Sequence, residues 1–467
     1  MKKNLHRTLF VSTLAILVLI LIQTFTGFIP VKSLRGVTIE TEKPKLTLKS
    51  YVDGSFQNNL ENYCREHCGF REWLIRFYNQ YLWSCFKETN NTTVVFGKDG
   101  WLFEEVYVRD HYESLMYKYT DDTAKMRTML ETEALRLWKV QELLKEHNIH
   151  LFVCMDPAKD VIFPEYLPED STYTRPEGFR AYDYYQKRFE ELGIHYIDYV
   201  AFFKTLKDSA DYPLFYKKGT HWSNIASIHV FDSILRYMEV LGNQKLHDLE
   251  IGGKYTAKPS KPDNDLENLL NLLFPMKSDP YWYADVTVKE DPTAAKPTLL
   301  TIGDSYFWNF KFNIPLGQLF RNYPYWYYNY ILYFDSADRS FSDLDLEEEM
   351  MRADYIMLNY GTAQLYDLGS RFLPKALLHL CYDKTAIDSA ICQLTERLKR
   401  NPDYYTKAKD MAKQSGKSVE QVLYEDAHYM IHENPEKFFE ALQGEQLPAV
   451  RNKDLPALRK ASSPYHP

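Results

Sequence analysis

The chain has 467 residues, of which 45% are hydrophobic and 26% charged. That length and apolar share exclude global disorder and allow a core larger than one ordinary domain. The net charge is −8, from 56 Lys+Arg against 64 Asp+Glu, and no basic run supplies the footprint that nucleic acid requires, so no nucleic-acid partner is expected. Aromatic residues make up 15%, including 37 Tyr. Two uses fit such a surplus: amphipathic core filling, or flat faces for a ligand such as a sugar.

Residues 1–8 carry Lys2, Lys3 and Arg7, and residues 9–29 follow without a charge. About 20 apolar residues suffice to cross a bilayer, and basic residues in front of such a run stay in the cytoplasm. The run is long for a cleaved signal peptide and no A-x-A-like site follows it, so an uncleaved signal anchor is expected. No Cys follows closely enough for a lipoprotein anchor. The six cysteines suit an exported chain; Cys64 with Cys68, or Cys381 with Cys392, are candidate bridges, and small buried hydrophobes are the other reading.

Residues 30–93 read as a membrane-proximal linker and helix. KLTLKSYVDGSF alternates as an extended segment does, and residues 56–80 read as helical. VVFGKDGWLF, residues 94–103, predicts a hairpin. Residues 124–148 form a long amphipathic helix, and HLFVCMD a buried parallel strand ending at Asp156. Residues 180–192 are helical, HYIDYV is a strand, and residues 223–241 are helical. Residues 250–297 are rich in Pro and polar residues and read as a surface insertion. PTLLTIG, YNYILYF and DYIMLNYG are three more strands, so strands alternate with helices as in a three-layer α/β architecture around a mostly parallel sheet. Residues 383–444 read as a helical appendage with capping boxes at Thr385–Asp388 and Ser418–Gln421 and a helix start at Asn434-Pro435. Residues 445–467 read as a loose tail.

Chemistry concentrates at Gly303-Asp304-Ser305, directly after the strand PTLLTIG. Ligands of α/β sheets bind at the carboxyl ends of strands, and a serine on the turn leaving one can present its hydroxyl there. The bland reading of the triplet is a polar turn that caps a helix. A serine nucleophile needs a base. His221 in KKGTHWSNIASIHVF is the candidate, although a His beside Trp also serves as a packed core residue. His428 and His432 stand four apart without the Glu of HExxH and read as surface residues; no metal and no cofactor is expected.

Together, GDS, the upstream THWS and the front segment GKDGWLF resemble the AlgX/AlgJ-type SGNH-hydrolase-like family of bacterial exopolysaccharide O-acetyltransferases. DPAKDVIFPEYLP, residues 156–168, is similar to that family's Pro-x-Lys stretch ending in Leu-Pro. The likeness runs over about residues 94–382. It implies a three-layer α/β/α SGNH-hydrolase-like sandwich in circularly permuted motif order, because His221 precedes Ser305. It further implies acetyl transfer outside the cytoplasm, with the chain held as a single-pass protein in the bacterial inner membrane by its N-terminal helix. A membrane-bound O-acyltransferase would be the donor and a polysaccharide the acceptor. Ser305 would carry the acetyl ester and His221 would act as general base. The oxyanion hole would draw on Ser305, with Asn359 and Gly361 placed there by position at a strand end. One departure stands out: Gly219 occupies the place of the family's Asp in Asp-x-His-Trp. Three outcomes follow: a Ser–His dyad, a carboxylate from Asp156, Asp160 or Asp304, or an impaired domain that binds glycan or a membrane partner as an assembly component.

Overall fold

The structure, a computed structural model, describes residues 2–36, 41–118, 120–169, 179–328, 331–333, 338–340, 345–369 and 371–435. It begins with helix α1 (Lys2–Thr26), whose most apolar window has a mean hydropathy of 2.3 with 6% of it buried. By length and composition α1 is able to cross a membrane. Helices α2 (Leu48–Val52), α3 (Ser55–Glu66) and α4 (Arg71–Phe86) follow. The extended reading of KLTLKSYVDGSF is corrected here. Thr47 and Ser50 form a reciprocal capping box that starts α2, and such local side-chain bonds outweigh a short alternation.

The expected hairpin is present, with β1 (Val94–Phe96) antiparallel to β2 (Leu102–Glu104). After it come α5 (Glu105–Glu113), α6 (Thr123–Glu146), β3 (His150–Asp156), α7 (Lys159–Ile162), α8 (Ala181–Leu192), β4 (Tyr196–Asp198), α9 (Tyr199–Leu206) and α10 (Asn224–Gly242). The chain continues through β5 (Asp248–Ala257), α11 (Asp265–Leu269), β6 (Tyr281–Lys289), β7 (Leu299–Gly303), α12 (Phe307–Asn313), α13 (Leu316–Leu319), β8 (Tyr325–Tyr327), β9 (Ile331–Tyr333), β10 (Asp338–Ser340), α14 (Leu346–Met351), β11 (Tyr355–Gly361) and α15 (Leu373–Cys381).

The architecture is a three-layer α/β/α sandwich. Its sheet runs β10-β9-β8-β7-β11-β3-β4, with β8, β7, β11, β3 and β4 parallel and β9 and β10 antiparallel at one edge. Every residue of β7 and β11 is buried, which is why these strands read as unbroken apolar runs. The registers set Gly303 beside Asn359 and Gly361 beside Asp156, so three strands end together at one edge of the core.

Three elements differ from the sequence reading. The parallel strand next to β7 is Tyr325–Tyr327, while Ile331–Tyr333 of YNYILYF is antiparallel; Tyr328, at φ 48°, turns the chain between them. Residues 250–297 contain a long antiparallel ribbon, β5–β6, and the strap between its strands folds back onto the main domain. The period-2 alternation of YWYADVTVK was hidden by the prolines around it. In the appendage of α16 (Lys384–Lys399), α17 (Pro402–Ser415) and α18 (Val419–Glu433), Asp383 rather than Thr385 caps α16, its carboxylate accepting from the Ala386 N–H. Ser418 caps α18 as expected, but the Gln421 side chain turns to Glu425 instead of closing the box. The helix expected after Pro435 and the tail 445–467 lie outside the described residues. All six cysteines are free thiols, so neither candidate bridge is formed.

Candidate active site

Ser305 sits on the turn between β7 and α12, and His221 on the loop before α10. Their side chains meet: His221 Nε2 lies 2.8 Å from Ser305 Oγ. The local sequence explains both positions. Gly303 closes β7 where an added Cβ would strike the Asn359 carbonyl of β11, so only glycine lets the two strands end side by side. Ser223 caps α10, its hydroxyl accepting from the Ala226 N–H, and Trp222 is buried against Tyr306 and Phe310, which fixes His221 at the loop's end.

The other face of the imidazole meets a residue that the sequence reading did not single out. His221 Nδ1 lies 3.4 Å from Asp265 Oδ2. The ring N–H direction misses the carboxylate, so this is an ion-pair approach rather than a directed hydrogen bond. Asp265 is held by its other oxygen, which accepts from the Thr220 N–H at 2.8 Å and from its neighbour Leu266 N–H at 2.8 Å. Burial alone would pull the His221 pKa down; Asp265, with Glu104 and Asp304 further off, reverses this and leaves it above its ordinary value.

The strap that carries Asp265 occupies the space a side chain at position 219 would need. A Cβ on Gly219 would stand 2.5 Å from the Asp263 carbonyl oxygen. Asp263 is itself fixed, accepting from the Tyr283 hydroxyl at 2.5 Å and from the Ser260 hydroxyl at 2.8 Å. Gly219 therefore admits the strap, and the strap brings a carboxylate to the imidazole.

The three carboxylates expected as candidates are placed elsewhere. Asp156 Oδ2 accepts from Asn359 Nδ2 at 2.7 Å, and burial together with the Asp304 charge holds its pKa well above the usual range. Asp160 faces His111 Nδ1 at 3.2 Å. Asp304 accepts from the Tyr306 and Gly361 N–H groups at 3.0 and 2.7 Å; burial pushes its pKa up to about 6 despite those bonds. Asp304 thus organises the turn around Ser305 rather than orienting His221. The same bonds engage Asn359 and the Gly361 N–H in the interior. The Ser305 N–H makes no hydrogen bond among the described residues. Burial raises the pKa of the nearby Tyr328 hydroxyl, and its interaction with Ser305 pulls the other way.

Lys159, the lysine of the Pro-x-Lys stretch, is buried, with its Nζ donating to the Tyr216, Lys217 and Gly219 carbonyls at 3.4, 3.3 and 2.5 Å. It gathers the loop that ends in His221. Burial lowers its pKa to about 7, against the pull of Asp265, Asp160 and Glu104. Nothing local marks Asp265 or Tyr328: one lies in a polar Pro-rich strap, the other in an aromatic run. Among the described residues no cluster of His, Cys, Asp and Glu could hold a metal ion. The His428 and His432 rings stack on α18, with centroids 4.1 Å apart.

Residues 94–322 match the profile of the SGNH hydrolase-like domain of the acetyltransferase AlgX. Over that stretch the chain belongs to the AlgX-type SGNH-hydrolase-like family. His221, Asp265 and Ser305 all fall inside this AlgX-type domain; Tyr328 lies just beyond it. Among solved structures the chain is similar to the O-acetyltransferase domain of Pseudomonas putida AlgJ, at 18% identity over 58% of this chain and 92% of that one, with a TM-score of 0.37. It is also similar to Pseudomonas aeruginosa AlgX (14%, 59% and 67%, TM-score 0.35) and to Bacillus cereus PatB1 with a sulfonyl adduct (12%, 59% and 97%, TM-score 0.37). No curated protein matches.

Proposed function

We propose that this chain is an extracytoplasmic O-acetyltransferase that works through an acetyl-serine intermediate on Ser305. The observation that carries the proposal is the contact of Ser305 Oγ with His221 Nε2 at 2.8 Å, with Asp265 behind the opposite ring nitrogen. In the first half-reaction Ser305 Oγ bonds to the acetyl carbonyl carbon while its proton passes to His221 Nε2. The carbonyl oxygen gains charge, and the Ser305 N–H, which makes no other hydrogen bond among the described residues, is the donor this reading assigns to it. The bond to the donor's leaving group then breaks, and the leaving group takes the proton from His221. In the second half-reaction a sugar hydroxyl gives its proton to His221 and attacks the acetyl ester; the bond from Ser305 Oγ to the acetyl carbon breaks, and Ser305 Oγ takes the proton back from His221. Asp265 supports the imidazolium formed in each half.

The family supports an acetyltransferase, and α1 supports attachment to a membrane with the body outside the cytoplasm. A polysaccharide acceptor, a membrane-bound O-acyltransferase donor and the inner membrane as location belong to this reading. So does a division into an anchor at 9–29, a linker at 30–93, a catalytic unit at 94–382 and a helical appendage at 383–444. The competing view, an impaired domain that only binds glycan or a membrane partner, drew its strength from Gly219, and Asp265 removes that reason.

The test is incubation with a chromogenic acetyl ester followed by intact mass measurement. An acetyl adduct is expected on the unmodified chain and not on Ser305→Ala. An adduct of equal yield on Ser305→Ala sinks the mechanism. Adding a sugar acceptor and comparing acetylated sugar with free acetate separates transfer from hydrolysis.

A further inference from the structure

Helix α4 (Arg71–Phe86) carries an exposed face with no charge on it. Trp73, Leu74, Phe77, Tyr78 and Tyr81 are 40–55% exposed, and 74, 77, 78 and 81 follow the i, i+3, i+4, i+7 spacing of one helical stripe. The helix's charged residues, Arg71, Glu72 and Arg76, are all on its half-buried side. Arg71 pairs with Glu66, and Arg76 donates to the Lys32 and Ser33 carbonyls. A helix facing water places its charges outward and its rings inward; α4 does the reverse.

The start of α4 is fixed to the end of α1. The Gly69 N–H donates to Thr24 Oγ1 at 2.8 Å, and a Cβ on Gly69 would stand 2.6 Å from both the Ile20 carbonyl and the Thr24 nitrogen. Phe70 meets Phe28 edge to face. The charge-free aromatic face is therefore continuous with the apolar anchor at its outer end. Trp and Tyr are the residues that settle at the level of lipid headgroups.

We infer that the exposed face of α4 is a lipid-binding surface, seated in the outer interface of the same bilayer that α1 crosses. This rests on the reading of α1 as an anchor. The seat reaches the chemistry by direct bonds. Asn79 of α4 donates to the Leu270 carbonyl at 2.8 Å, and Gln80 accepts from the Phe274 N–H at 3.0 Å. Both partners belong to the strap that carries Asp265, and Phe274 is itself exposed. A bilayer holding α4 thus also holds the segment behind His221, which keeps the Ser305 site at a fixed height above the membrane.

The test uses the full chain in vesicles of phosphatidylcholine and phosphatidylglycerol with brominated acyl chains, which quench nearby tryptophans. Residues 1–28 contain no Trp, so the anchor contributes no signal of its own. Quenching is expected, stronger with bromines near the headgroup than deep in the chain. It should be lost in Trp73→Phe and kept in Trp83→Phe, whose ring stacks on Phe96. A chain that floats with the vesicles but shows no quenching, or quenching unchanged in Trp73→Phe, overturns the α4 seat while leaving the anchor standing, and assigns the face to a protein partner instead. A chain that does not float with the vesicles overturns both.

Discussion

Three carboxylates act on His221, and their effect fixes the direction of its pH response. A base works in its neutral form, and the His221 pKa is held above its ordinary value, burial being outweighed first by Asp265. Acylation of Ser305 is therefore expected to rise with pH through a midpoint above 6.5, the ordinary histidine value. Asp265→Asn removes the nearest carboxylate, so the midpoint should move to lower pH. The rate above the midpoint should fall at the same time, by ~10²-fold, inside the ~10⁴-fold seen when a triad Asp is replaced. A rate profile over pH for both chains reads the two effects, and a midpoint unmoved in Asp265→Asn contradicts the assignment. Gly219→Asp tests the same site from the other side. The new side chain meets the Asp263 carbonyl at the position of its Cβ, so the strap must shift. We expect a loss of about 1–3 kcal/mol, as for overpacking elsewhere, and a slower acylation rather than a faster one. Thermal melting and the acylation rate check this; a gain in rate at unchanged stability would show that the strap does not need that space.

At the scale of elements, the site depends on two loops that pin each other. The loop from Tyr216 to Thr220 is gathered by Lys159 from below and by the strap from above. Lys218 Nζ donates to the Lys277 carbonyl at 2.5 Å, and the Glu267 N–H donates to the Lys218 carbonyl at 3.3 Å. Lys159→Met keeps much of the side chain's volume but leaves three carbonyls without their shared donor. Unmet buried acceptors cost about 1–3 kcal/mol each when nothing replaces the donor, and relaxation of the loop will reduce the sum. The expected result is a lower melting temperature and a fall in kcat for the chromogenic ester with KM little changed, because the loop positions His221 and not the substrate. A variant that melts lower yet keeps its kcat would show that the ammonium stabilises the fold without positioning the base.

Over the whole molecule, an apolar helix, an α/β domain and a helical appendage follow one another along the chain. With Lys2, Lys3 and Arg7 in front of α1, the body is expected outside the cytoplasm. A reporter fused after Pro467 that requires an oxidising compartment should be active, and one that works only in the cytoplasm silent; the opposite pattern refutes this orientation.

Sequence alone determined the elements whose signals are local. The uncharged run of α1, the unbroken apolar strands β3, β7 and β11, the hairpin at residues 94–103 and the helix that becomes α10 are each written in a short stretch. The positions of Ser305 after a strand and His221 before a helix were legible for the same reason. Tertiary structure alone decided which carboxylate faces His221. Asp265 reaches it from a Pro-rich strap 44 residues downstream, through the absence of a side chain at Gly219 and the hydrogen bond that the Tyr283 hydroxyl donates to Asp263, and no local pattern encodes an approach of that kind. It also decided that Asn359 and the Gly361 N–H are engaged by Asp156 and Asp304, because parallel register sets residues from three distant strands side by side. Periodicity reports what one segment buries; which segments then share a site depends on close packing between parts of the chain far apart in sequence.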